Sequence, residues 1–170
     1  PNRLHEGYGL NENAIREIAD TKHTLIITVD CGITGNKEIE LAKSFGIDTV
    51  VTDHHEPTET LPDAVAVVDC KRKDNKYPFN GLAGVGVAFK LTQAISMRLG
   101  VREEEYLKYL DLVCVGTISD IVPLVDENRT ISKLGLKLVR QTRNIGLKVL
   151  LESISYKKID STAISFGVAP

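Results

Sequence analysis

Apolar residues recur at helical spacing through Ala14, Ile15, Ile18 and Ala19, behind the helix-capping residue Asn11, and predict a first short helix. Leu25 to Val29 is a continuous β-branched and apolar run, the pattern of a strand covered on both faces, and it stops at Asp30-Cys31-Gly32. Helical spacing returns from Asn36 to Phe45, with Ile39, Leu41, Ala42 and Phe45 inward and Gly46 as the stop. Asp48 to Thr52 is a second buried strand, ending at Asp53-His54-His55, and Ala64 to Val68 is a third. Strand, helix, strand at this spacing predicts a right-handed crossover, so the first two strands are expected to be parallel neighbours in an α/β sheet. Open sheets of that kind bind ligands past the C-terminal ends of their strands, where Asp30 and the Asp53-His54-His55 run both fall.

Beyond Tyr77 the pattern turns helical. Gly84-Val85-Gly86 leads into a helix through Val87, Phe89, Leu91, Ile95 and Leu99, stopped by Gly100. A second helix is expected from Arg102 to Val115, with Glu103, Glu104 and Glu105 opposing the positive end of its dipole and Gly116 ending it. Shorter helices are expected over Asn128 to Arg140, Ile145 to Glu152 and Ser161 to Val168. The fold class is therefore α/β, a mostly parallel sheet with flanking helices followed by a largely helical segment.

A chain of 170 residues with 42% hydrophobic composition suits one ordinary globular domain. The net charge of -2 does not mark a nucleic-acid binder, but it hides an asymmetry. Between Arg129 and Lys158 eight basic residues face the single acid Glu152. Lys133, Lys137 and Arg140 share one helix face, usually a solvated one but able to follow a DNA backbone. Cys31, Cys70 and Cys114 form no CxxC pair and are odd in number, which disfavours a disulfide framework or zinc knuckle and fits a reducing cytoplasm. No apolar run approaches a membrane span. The chain opens at Pro1-Asn2-Arg3 rather than an initiator Met, so an internal piece of a longer protein is expected.

Two adjacent histidines at one strand end and an aspartate at a parallel end offer nitrogen and oxygen donors that suit manganese, iron or zinc better than calcium. Singly each is weak. Asp30 before Cys31-Gly32 reads as a turn residue, a His-His pair is common on surfaces, and Asp120 reads as a loop residue after a helix. Gly84 and Gly86 read as close helix packing, His5 and His23 as surface residues, and Cys31 as a small apolar filler.

Thr28-Val29-Asp30-Cys31-Gly32-Ile33, Thr52-Asp53-His54-His55 and Gly116-Thr117-Ile118-Ser119-Asp120-Ile121-Val122-Pro123-Leu124 resemble, in order and spacing, the second, third and fourth motifs of the DHH phosphoesterases. The segments Pro1 to Gly9 and Gly84 to Lys90 resemble the branch of that family specific for single-stranded DNA. The resemblance implies a metal-dependent 5′-to-3′ exonuclease of recombination and repair. It uses two divalent ions, with Mn²⁺ first and Mg²⁺ the alternative. Carried over by position, Asp30 bridges the ions, His54 and Asp120 ligate one of them, and His55 assists the scissile phosphate. Asp53 reads as an acceptor that orients an imidazole, and Arg3 as either a phosphate contact or one half of a structural ion pair. The implied partners are single-stranded DNA, a single-strand-binding protein and a helicase, with no membrane.

The family's first motif, an Asp-x-Asp strand end, would precede Pro1. Residues 1–125 would then be part of the phosphoesterase domain, and 126–170 a helical connector toward a substrate-binding domain. The piece alone is expected to be inactive. Two other readings share the motifs: a phosphodiesterase for short oligonucleotides or cyclic dinucleotides, and a non-catalytic replication scaffold.

Overall fold

A computed structural model of the chain describes residues 8–169. It divides into two compact units, with the division between Asn80 and Gly81. In the first, α1 (Glu12–Asp20) is capped by Asn11, whose side chain accepts from Ala14 N at 2.8 Å. Strand β1 (Leu25–Val29), helix α2 (Asn36–Ser44) and strands β2 (Asp48–Asp53) and β3 (Ala66–Asp69) follow. The sheet is parallel throughout, in the order β1-β2-β3. Val29 lies opposite Thr52, and Asp53 opposite Asp69, so all three strands finish on one edge. Ile15, Ala42 and Ile47 form the core of this unit, with Ile26, Leu41 and Ile18 packed against it.

Two expectations about this unit are corrected. Leu25, Ile27 and Val29 are 49%, 52% and 51% exposed, so β1 is covered on one face only. An apolar run records a strand's affinity for cover, not whether both faces receive it, and β1 is the edge of the sheet among the described residues. Phe45, expected inward, is exposed at the α2 C-cap with the Arg16 guanidinium 5.9 Å from its ring centre, while Gly46 takes the positive φ that ends the helix.

The second unit is helical: α3 (Gly84–Arg98), α4 (Glu103–Leu107), α5 (Leu110–Ser119), α6 (Asp126–Val139), α7 (Ile145–Ser153) and α8 (Ser161–Ala163), which runs into a π-helical turn over Ile164–Val168. Cys114, Ile118, Val139 and Ile164 are its buried core. The helices α5 and α6 approach so closely that a Cβ on Gly135 would lie 2.2 Å from Cys114 Cβ and 2.5 Å from the Leu110 carbonyl oxygen. The predicted helix Arg102–Val115 is instead two helices broken at Lys108–Tyr109, and Gly116 does not end the second. A Cβ there would lie 2.8 Å from Val85 Cγ1, so Gly116 lets α5 pack against α3. Among the described residues no helix is long and apolar enough to cross a membrane.

Candidate metal centre

The site begins where β1 ends. Asp30 N donates to Thr52 O at 3.0 Å, carrying the ladder one residue past the strand, and Asp30 itself sits at φ 63. A short polar side chain tolerates this left-handed conformation better than most, and such residues gather at functional sites. The turn is held by Thr28 Oγ1 donating to Cys31 O at 2.6 Å. Gly32, at φ +109, has Thr28 Oγ1 2.8 Å from where a Cβ would be, so a side chain is excluded twice over.

The end of β2 supplies the rest. His54 Nε2 lies 3.0 Å from Asp30 Oδ1, and the His54 and His55 rings are 4.5 Å apart at 58°. Asp30, His54 and His55 each offer a ligand atom, all within 4.8 Å of one another. His54 is buried, while Asp30 and His55 are exposed. Beside them opens a cavity of about 430 Å³, lined by Asp30, Cys31, Gly32, Asp53 and His55 together with Leu10 and Glu38.

Asp53, only 1% exposed, ties the two strand ends together. Its Oδ1 accepts from His54 N at 2.8 Å, His55 N at 3.3 Å and His55 Nδ1 at 2.7 Å. Its Oδ2 accepts from Ile33 N at 2.9 Å, beyond the Asp30 turn. Burial alone would raise this carboxyl, but the donors at Ile33, His55 and His54 outweigh it and hold Asp53 below the usual carboxylate range. The imidazole that Asp53 accepts from is that of His55.

The other candidate residues belong to the second unit or fall outside the described residues. Asp120 belongs to the second unit, exposed at the C-cap of α5, with its N–H donating to Gly116 O at 3.0 Å and Ile121 following at φ 61. Lys133, Lys137 and Arg140 are exposed on and just past α6, but Arg140 Nε donates to Ile159 O at 3.0 Å and so has a structural bond of its own. Arg3 and His5 lie outside the described residues.

Residues 2–117 match the model of the DHH family, N-terminal domain. The chain belongs to the DHH family. Asp53-His54-His55 is thus the DHH signature, and relatives can be compared along the whole chain. It is 51% identical over 172 residues to the single-stranded-DNA-specific exonuclease RecJ of Bacillus subtilis, covering all of this chain and 21% of that protein. To RecJ of Escherichia coli it is 35% identical, covering all of this chain and 32% of the relative. The chain therefore spans about a fifth to a third of these relatives. A crystal structure of exonuclease RecJ bound to manganese superimposes with a TM-score of 0.88 at 36% identity, over 100% of this chain and 42% of that one. RecJ of Thermus thermophilus in complex with Mn²⁺ gives 0.81 at 35% identity, over 94% and 24%.

Within this DHH domain two imidazoles and a carboxylate form a mixed nitrogen and oxygen donor set that fits a divalent transition-metal ion such as manganese. Cys31 is not part of this cluster, and burial, followed by the Asp53 and Asp30 charges, raises its thiol. Sequence reasoning missed Asp69, which ends β3 beside Asp53. The third strand was expected to stop at Val68. The observed strand runs one residue further, to a carboxylate on the same edge as the site.

Proposed function

We propose that this chain is the metal-binding core of a single-stranded-DNA-specific exonuclease that hydrolyses phosphodiester bonds and releases mononucleotides from a 5′ end. The observation that carries this reading is the convergence of Asp30, His54 and His55, with ligand atoms within 4.8 Å, at the C-terminal ends of neighbouring parallel strands. Similarity along the whole chain to the RecJ exonucleases supports that substrate class. Two divalent cations, Mn²⁺ first and Mg²⁺ as the alternative, would supply a nucleophile at neutral pH and charge stabilisation at phosphorus.

The chain's own residues have separate tasks in this reading. Asp30 would be a ligand for the ions, and His54 and Asp120 would help to hold one of them. His55 keeps its proton on Nδ1, facing Asp53, which leaves Nε2 as the ring atom that serves the scissile phosphate. Asp53 fixes that tautomer and the distance between the two strand ends. Lys133 and Lys137 follow the DNA backbone with Arg140 beside them, and Arg3 binds phosphate. Residues 1–125 belong to the catalytic domain, and 126–170 form the connector to a substrate-binding domain. Three cysteines with no CxxC pair among them fit a reducing cytoplasm, where a single-strand-binding protein and a helicase would be the protein partners.

The test incubates the full-length protein with Mn²⁺ and end-labelled single-stranded DNA beside an Asp30→Ala variant. Mononucleotides should appear from the 5′ end with the first and fall below detection with the second. Equal release by both would overturn the assignment.

A further inference from the structure

The three strands of the sheet finish on one edge, and each finishes on or just before an aspartate: Asp30, Asp53 and Asp69. Two of these have clear surroundings. Asp30 is half-exposed in the ligand cluster, and Asp53 is buried but accepts four hydrogen bonds. Asp69 is different. It is 4% exposed, its Oδ1 accepts from Lys71 N at 2.7 Å, and its buried Oδ2 has no hydrogen-bond partner among the described residues. A buried acceptor left in that state is a destabilising feature, and a native fold keeps few of them without a use.

The position of Asp69 suggests the use. It pairs in register with Asp53, and Asp53, Lys71, His54 and Arg72 are the titratable groups close enough to act on it, the Arg72 guanidinium being engaged by Asp74. The Lys71 ammonium is turned to Glu56, 3.4 Å away, so the lysine reaches Asp69 through its backbone N–H. Asp69 is not among the residues whose ligand atoms converge within 4.8 Å, so it stands on the same sheet edge without belonging to the cluster. Residues just outside a ligand set orient the ligands and bind waters of the cation's hydration shell.

We propose that Asp69 is a further positioning residue of the metal centre, whose unpaired Oδ2 receives a hydrogen bond from a water of the bound cation. The inference rests on the metal centre proposed above. It also explains why a carboxylate is kept in a buried position: the cation offsets the charge that the apo protein bears at a loss. Asp69 thus makes the folded apo protein less stable and the metal-loaded one better organised.

The experiment uses the full-length protein with Asp69→Asn, an isosteric change, and Asp30→Asn as the control. Mn²⁺ binding is followed by electron paramagnetic resonance, hydration of the bound Mn²⁺ by water-proton relaxation, and the apo protein by its Tm. Asp69→Asn should weaken Mn²⁺ binding about tenfold and alter the relaxation enhancement, with an apo Tm equal to or above the parent's. Unchanged affinity and relaxation in Asp69→Asn, while Asp30→Asn loses Mn²⁺, would sink the Asp69 proposal and leave the metal centre standing. A weakened affinity accompanied by a lower apo Tm would reduce Asp69 to a structural residue and overturn the proposal too. Should Asp30→Asn bind Mn²⁺ as the parent does, both readings fall together.

Discussion

The two units of this chain differ in where their tightest constraints fall. The sheet unit buries Thr28, Thr52, Asp53, His54 and Asp69 around its C-terminal strand ends, and places Asp30 in a left-handed conformation. The helical unit also buries Ser96, Asp111, Thr117, Asn128 and Ser132, but its tightest constraints are of shape: Gly135 against Cys114, Gly116 against Val85, and a cluster of Cys114, Ile118, Val139 and Ile164. Its cysteine shows how dry that core is, since burial pushes the Cys114 thiol up to about 12. One unit gives up stability for groups that can do chemistry, and the other supplies close packing. Each should therefore fail in its own way.

The largest effect on folding is expected from Gly135→Ala. A methyl 2.5 Å from the Leu110 carbonyl oxygen cannot be relieved by a rotamer change, so urea unfolding should show a loss of about 3 kcal/mol. A neutral result would mean that α5 and α6 separate easily and that the contrast is false. Asp53→Asn comes next, with about 2 kcal/mol lost, because an amide places a donor where Asp53 meets only donors. Its pH dependence has a definite sign. The folded Asp53 carboxyl lies below its ordinary value of 3.8, so its contribution is complete above that value and is lost as pH falls through the folded one. Parent and Asp53→Asn should differ most near neutral pH and converge in acid; a gap that widens in acid would contradict the hydrogen-bond account.

The smallest effect lies on the surface of the helical unit. Replacing Lys133 and Lys137 by Ala in the full-length protein should leave Tm unchanged and lower the salt slope of single-stranded DNA binding by about 0.7 per lysine. An unchanged slope would make this face a solvated one. Arg140 is kept out of that variant because its bond to Ile159 O would mix a stability change into the binding measurement.

The sequence was most readable where the local period and the long-range arrangement agree. The strands at Leu25 and Asp48, the Asn11 cap and the convergence of Asp30 with His54 and His55 all follow from apolar runs that end in polar residues. It was less readable where one residue type serves two purposes. Gly116 reads as a helix stop because glycine commonly ends helices, yet here it allows two helices to touch. Asp69 was missed because Asp69-Cys70-Lys71 looks like the start of a turn, and only the register with Asp53 places it on the site's edge. Arg140 reads as part of a basic stripe because its carbonyl partner is distant in sequence. The second ring nitrogen of His55 and the fourfold acceptor role of Asp53 depend on side-chain directions that no spacing encodes.

The half-covered face of β1 bears on how the molecule must be handled. Leu25, Ile27 and Val29 line up on a strand whose outer backbone groups have no neighbouring strand among the described residues. An apolar edge of that kind is a template on which a second chain can add itself, strand to strand. Concentrated solutions of this chain by itself are therefore prone to self-association through β1, and a charged residue in place of Ile27 is the natural first remedy for anyone purifying it.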